Sequence, residues 1–326
     1  MSKHKNTVKK KLSIIIPFYG QNESDLAIPL RSINNQVSVD FAKIDVHLVN
    51  DGGKPINTDN LAIFANLDLH YHELHENVGP GMARQYGIDH SAGEYLMFVD
   101  ADDYLNHSAA LSSFFSATES DENAQVLRSK FIEQVPNGNG DLIEIIAGYD
   151  RNAVYACWIA RKWLNKIKLR FISELRIYED SYFIDLINNL TPGIKSIDDI
   201  TYVYVFHEKS LSHVGKSVSS EFADTWVLSK YYELKFLSSR KSVPFLKDYL
   251  AAVLLQAYLR YEKFPPVDEE KFWSVLWKLM KKYAYLWEGF FAEMQLVANQ
   301  ESQMKNGEFY GVDTSNLRKF IKKCER

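Results

Sequence analysis

Three carboxylates, Asp100, Asp102 and Asp103, directly follow the apolar run Tyr95-Leu96-Met97-Phe98-Val99. Such a run, bounded by glycine and by acids, reads as a buried strand. In open α/β sheets, ligands collect outside the carboxyl ends of the strands. Asp100 and Asp102 lie two apart, so on extended backbone their side chains emerge on one side. Hard oxygen donors in this arrangement suit Mg²⁺ or Mn²⁺, which keep the rest of their shell for water and substrate phosphates. A plainer use exists too: Asp102 and Asp103 can cap a helix starting near Asn106. A second acidic pair, Glu179-Asp180, fits the first turn of a helix whose dipole favours acids.

The elements that must position these groups come next. Residues 12–16 form a continuous apolar strand, the pattern of a parallel sheet covered on both faces. Residues 23–35 place Leu26, Leu30 and Ile33 on one helical face, with Pro29 expected to kink the helix or delay its start. Strands follow at 46–49 and 67–71, then a helix over 82–91, then the strand at 95–99. This order, with short turns, predicts a Rossmann-like α/β fold. Each turn carries polar groups. Asp51, before Gly52-Gly53, is placed either to accept from a nucleobase or ribose or to close its own turn. Gly79 and Gly81 allow backbone N–H groups to approach a phosphate, and Arg84, one turn on, can pair with a diphosphate, although a plain loop also explains the glycines.

Composition bounds the rest. The chain has 326 residues, 46% hydrophobic and 25% charged, enough for one large and one smaller globular part. A net charge of −4 gives no general affinity for polyanions. Residues 1–216 carry 21 Lys/Arg against 28 Asp/Glu, and residues 217–326 carry 17 against 14. Cys157 and Cys324, far apart, make no disulfide framework and fit a reducing, cytoplasmic setting. The basic start at residues 1–11 leads into an apolar run too short for a signal peptide, and no stretch reaches the length of a membrane span. Peripheral membrane contact and self-association stay open.

The motifs Leu12-Ser13-Ile14-Ile15-Ile16-Pro17-Phe18-Tyr19, Val49-Asn50-Asp51-Gly52, Asn77-Val78-Gly79 with Ala83-Arg84 and Gly87, and Gly93-Glu94-Tyr95 with Asp100-Ala101-Asp102-Asp103 occur in this order. Together, over residues 11–105, they resemble the N-terminal half of family-2 inverting glycosyltransferases of the GT-A fold. The resemblance implies a mixed, mainly parallel sheet flanked by helices. It also implies a nucleotide-sugar donor, foremost a UDP-sugar, held by Pro17, Tyr19, Asp51, Asn77, Gly79, Arg84, Asp100 and Ala101. Asp102, with Asp100, would hold Mn²⁺ or Mg²⁺ on the diphosphate. Departures are Gly20 where the family usually has Asn, Asn50 where it has a second Asp, and Val205 where an arginine is common.

The family's catalytic base falls on Ile177-Tyr178-Glu179-Asp180-Ser181-Tyr182-Phe183, with Asp180 as base and Glu179 beside it. Residues 131–146 look like an intervening hairpin. Tyr155 and Trp158 fall where acceptor-side aromatics stand, with core packing an equal explanation. The segment 202–212 resembles the close of the transferase domain. From it, His207 or His213 would add a metal ligand, and Lys209 or Lys216 would reach a diphosphate, unless these are ordinary surface groups. The implied reaction is single displacement onto an acceptor hydroxyl of a glycan, cell-wall polymer or glycoconjugate by a hexosyl- or N-acetylhexosaminyltransferase. The alternatives are a nucleic-acid acceptor or a non-catalytic nucleotide-sugar-binding relative.

The expected domains are a transferase over 1–216 and a helical appendage over 217–326, for acceptor binding or oligomerisation. In the appendage, helices are predicted near 222–232, over 245–261, over 271–298 and over 316–323.

Overall fold

The computed structural model describes residues 8–121, 123–137, 139–148, 153–207 and 216–325. The chain divides into two compact units, Met1–Phe206 and His207–Arg326.

The first unit is built on one nine-stranded mixed sheet. Its strands are β1 (Leu12–Phe18), β2 (Ile44–Asn50), β3 (Leu69–Glu73), β4 (Tyr95–Phe98), β5 (Tyr104–Leu105), β6 (Val126–Pro136), β7 (Leu142–Ala147), β8 (Cys157–Ala160) and β9 (Lys195–Tyr204). The order is β3-β2-β1-β4-β8-β6-β9-β5, with β7 paired to β6. β1 pairs in parallel with both β2 and β4, and β2 with β3, so these four strands end on one edge. Strand order reverses at β1, the switch point where open α/β sheets form a crevice. Every residue of β1 and β2 is buried, as their uninterrupted apolar runs require.

Helices α1 (Glu23–Asn34), α2 (Pro80–His90), α3 (Ala110–Ser120), α4 (Arg161–Ile167) and α5 (Glu179–Leu190) complete the unit. α1 starts at Glu23 because Asn22 and Asp25 form a capping box. Pro29 lies inside it, buried with Leu26, Leu30 and Ile33, and the helix runs on to Asn34. α2 begins two residues before the predicted start, since Pro80 suits a first turn whose N–H has no helical partner. The helix expected near Asn106 starts only at Ala110, because β5 comes first and pairs with β9. β6 and β7 form the predicted hairpin, Pro136 facing Leu142. Trp158 is fully buried and stacks on Phe114 at 5.0 Å, which makes it core rather than an acceptor-side platform. Tyr155 is half-buried and stacked on Tyr202 and Tyr204.

The second unit is helical: α6 (Lys216–Glu221), α7 (Ala223–Leu237), α8 (Val243–Lys263), α9 (Glu269–Tyr283), α10 (Phe291–Gln303) and α11 (Leu317–Cys324). The single helix predicted over 271–298 is broken. A 3₁₀ turn at Ala284–Leu286 and Gly289 at φ +75° end α9 and redirect the chain into α10, a conformation that glycine adopts without strain. α9 buries Phe272, Trp273, Leu276, Met280 and Tyr283 along one face, the stripe expected of a core-facing helix. No helix among the described residues is long and apolar enough to cross a membrane. Cys157 and Cys324 are both buried free thiols.

Candidate active site

The loops that leave β1, β2, β3 and β4 meet along the shared carboxyl edge. Phe18 lies opposite Asn50, and Asn50 opposite Glu73. Asn50 is wholly buried, and its amide clamps the following turn. It accepts from Gly53 N and donates to the carbonyls of Gly53 and Lys54 and to the Tyr71 hydroxyl. An aspartate could accept but not donate in those last three contacts. The departure from the family at this position therefore has a local structural reason.

Asp51 faces the next loop. Its two carboxylate oxygens accept from Val78 N at 2.8 Å and Gly79 N at 2.9 Å. Burial pushes its acidity toward weaker, and the two N–H groups and the Arg176 guanidinium oppose that. Gly52, at φ +73°, is required here, because a Cβ would lie 2.3 Å from the Glu76 carbonyl carbon. Arg176 donates to the carbonyl and to the side-chain oxygen of Asn77, and its stem covers Gly79. Asp51, Asn77 and Gly79 thus come together, and Arg176, given no role by the sequence, joins them. Its signal lay three residues ahead of Glu179, immediately before the motif at 177–183. Pro17 is buried in β1, whereas Tyr19, just beyond, is 59% exposed.

The second cluster forms around Arg84. This guanidinium is buried in α2 and donates Nη2 to Asp100 Oδ1 at 2.7 Å and Nη1 to Glu179 Oε1 at 3.0 Å. Burial disfavours its charge, but Asp100 and Glu179 more than offset this and raise its pKa. Glu179 is buried as well, and burial followed by the neighbouring Asp180 pushes its pKa up to about 7 despite Arg84. Gly81 makes room for it, since a Cβ there would stand 2.6 Å from Glu179 Cγ. Asp180 is half-buried at the start of α5 and accepts from Ser181 N at 2.6 Å. Tyr178, at φ +63°, turns the chain into that helix.

The acids after β4 separate into two roles. Asp103 is buried and accepts from the Tyr202 hydroxyl at 2.7 Å and Val205 N at 2.8 Å. Burial, then the nearby Asp100, raises its pKa well above the usual range. The Tyr202 hydroxyl also accepts from Asp100 N at 3.1 Å, so β9 pins the loop 100–103 from below. Asp103 is therefore a scaffold acid and not a helix cap. Ala101 is buried between Asp100 and Asp102, which remain half-buried. Among the described residues, no three His, Cys, Asp or Glu side chains converge as a metal site. Two carboxylates still fit Mg²⁺ or Mn²⁺, which are usually held by one or two carboxylates together with substrate phosphates. His207 is exposed at the start of the second unit, and Lys209 and His213 lie outside the described residues.

Comparison with known proteins follows the same lines. Residues 13–175 match the model of glycosyl transferase family 2. The chain is 25% identical over 231 residues to the glycosyltransferase GlyA of Streptococcus pneumoniae serotype 4, covering 64% of this chain and 32% of that one. It is 32% identical over 143 residues to the poly(ribitol-phosphate) beta-glucosyltransferase of Bacillus spizizenii, covering 40% of this chain and 20% of that enzyme. The chain thus spans about a third or less of these relatives. Among solved structures, S. aureus TarS 1-349 in complex with UDP-GlcNAc aligns with a TM-score of 0.65 at 18% identity, over 97% of this chain and 88% of that one. The mannosyltransferase PcManGT of Pyrobaculum calidifontis, in complex with GDP-Man and Mn²⁺, aligns at 0.53 and 14% identity, over 98% and 86%. The chain belongs to glycosyltransferase family 2 and has the GT-A fold.

Proposed function

We propose that the chain transfers a hexosyl or N-acetylhexosaminyl group, with inversion, from a UDP-sugar to a hydroxyl of a phosphate-bearing cell-wall polymer. The observation that carries this is the Arg84 bridge. One guanidinium ties Asp100, at the end of β4, to Glu179, which precedes Asp180 in α5. The candidate metal acid and the residue next to the candidate base are thereby tied together through one guanidinium. The UDP-GlcNAc bound by TarS supports the donor, and the B. spizizenii relative, named for poly(ribitol-phosphate), supports the acceptor class.

In this reading Asp102 and Asp100 would hold Mg²⁺ or Mn²⁺, which supplies Lewis-acid neutralisation of the departing diphosphate. Arg84 orients the Asp100 carboxylate, and Glu179 keeps Arg84 in place. The loop 77–79, fixed by Asp51 and Arg176, presents backbone to the nucleotide. Asp180 takes the proton from the acceptor hydroxyl as that oxygen attacks the anomeric carbon from the face opposite UDP. One in-line displacement converts an α-linked donor into a β-linked product. Asp180→Asn tests this. Transfer should fall by roughly 10²–10⁴, the usual worth of a general base, while UDP affinity by calorimetry stays near wild type. Near wild-type turnover in that variant would assign the proton to another group.

A further inference from the structure

The second unit contains a groove of about 790 Å³ that none of the acids above enters. That volume lies in the range of small-ligand sites. Trp277, Lys278, Met280 and Lys281 of α9 line it, together with Trp287 and Glu325. Lys281 lies three residues beyond Lys278 and four beyond Trp277, so it neighbours each of them on the helix surface.

Both tryptophans are fixed in place. The Trp277 indole N–H donates to the Lys323 carbonyl at 2.8 Å, and that of Trp287 donates to Glu325 Oε1 at 2.7 Å. Trp277 leans on Trp273 at 6.0 Å, and Trp287 is braced edge-on by Phe291 at 5.6 Å. Their hydrogen-bonding atoms are engaged within the protein, so what they offer a ligand is apolar ring surface at little cost in side-chain entropy. Lys278 and Lys281 are exposed beside them, and Lys278 lies 5.0 Å from the Tyr231 ring centroid. Lys282, also exposed, stands over the same ring at 4.9 Å. Among the described lining residues the single carboxylate is Glu325, which is committed to Trp287. The groove therefore pairs rigid aromatic faces with a net positive charge, two lysines against one carboxylate.

Resting on the acceptor class proposed above, we infer that this groove binds non-reacting repeat units of the polymer, a polyhydroxylated chain linked by phosphodiesters. Its polyol or sugar C–H faces would lie against Trp277 and Trp287, and its phosphates would face Lys278 and Lys281. A neutral glycan would leave the lysines unmatched, and a bare polyanion would leave the rings unmatched.

The experiment uses the full chain and poly(ribitol phosphate) oligomers, followed by tryptophan fluorescence and calorimetry without donor. Binding is expected, weakening with salt as charge contacts are screened. Lys278→Glu with Lys281→Glu, both at exposed positions, should weaken it about tenfold, the sum of two exposed charge pairs reversed. The KM for the polymer should rise with it, while acceptor-free UDP-sugar hydrolysis stays unchanged. Trp277→Ala should weaken binding with the lysines intact, provided its melting temperature matches wild type. Unchanged polymer affinity in the double lysine variant would overturn the inference. Equal affinity for a single-stranded oligonucleotide would assign the groove to general polyanions instead, and equal affinity for neutral dextran would remove the role of the lysines. A shift in oligomeric state in the double variant, seen by light scattering, would make the groove a contact between copies and overturn it too. Polymer binding retained without any donor turnover would count against the transferase reading and for the groove.

Discussion

The loop after β2 and the loop after β4 leave the same edge of the same sheet, yet their acids are held in opposite ways. Asp51 is met by backbone: two N–H groups, fixed by the fold, fill its carboxylate. Asp100 is met by a side chain, and that side chain is shared with Glu179. Backbone donors cannot be traded for a ligand without refolding the loop. A guanidinium shared between two acids can give up part of its pairing when a diphosphate or a cation enters. The β2 edge is therefore a fixed wall, and the β4 edge is the part whose electrostatics a substrate can rearrange.

Removing the shared group gives the largest contrast. Arg84→Ala leaves Glu179 buried and Asp100 half-buried with no counter-charge, and should destabilise the protein by about 3–5 kcal/mol in denaturant unfolding. The loss should be deepest above neutral pH, where Glu179 has no proton to retreat to. A cost below about 1 kcal/mol would mean that the bridge is incidental to this edge.

The pH dependence sharpens the same point. Glu179 has a folded pKa raised from the ordinary 4.5 to about 7. The native state therefore holds this proton where the unfolded chain has lost it, and stability must fall as pH rises from about 4.5 to 7. The full contribution is present below the unfolded value and amounts to at most about 3 kcal/mol. Glu179→Gln should flatten that part of the profile, and an unaltered slope would place the titration elsewhere.

The wall is tested by Asp51→Ala. It strands the buried Gly79 N–H and the part-buried Val78 N–H and should cost about 1–3 kcal/mol, with weaker UDP binding through the freed loop at 77–79. Unlike the Arg84 variant, this loss should change little between pH 6 and 8, because it strands backbone N–H groups and leaves no buried carboxylate without its counter-charge. A strong pH dependence there would dissolve the distinction between the two edges.

Much of the first edge was legible in the sequence. Strands buried on both faces must be continuously apolar, so β1, β2 and β4 announce themselves, and the acids that follow them are visible at once. What escaped depends on side chains meeting across the chain. Arg84 reads as a phosphate ligand when only its place in α2 is known, and its pairing with Glu179, 95 residues away, appears only in three dimensions. Asp103 looks like its neighbours in sequence but is claimed by Tyr202 of β9. Trp158 has the same composition signal whether it faces a sugar or a core, and Phe114 decides the matter. In the second unit, the apolar spacing continues through the end of α9, and only the 3₁₀ turn at Ala284–Leu286 and the positive φ of Gly289 show that the helix stops.

Gly81 and Glu179 stand in direct steric contact, with room for a hydrogen at one and a full-length side chain at the other. The two positions therefore cannot drift separately. Alanine at 81 would press on Glu179 Cβ and Cγ, atoms that aspartate keeps too, so the acid would have to swing away from Arg84. Divergence among descendants of this chain should then show glycine and glutamate inherited as a pair, or lost together along with the arginine they serve.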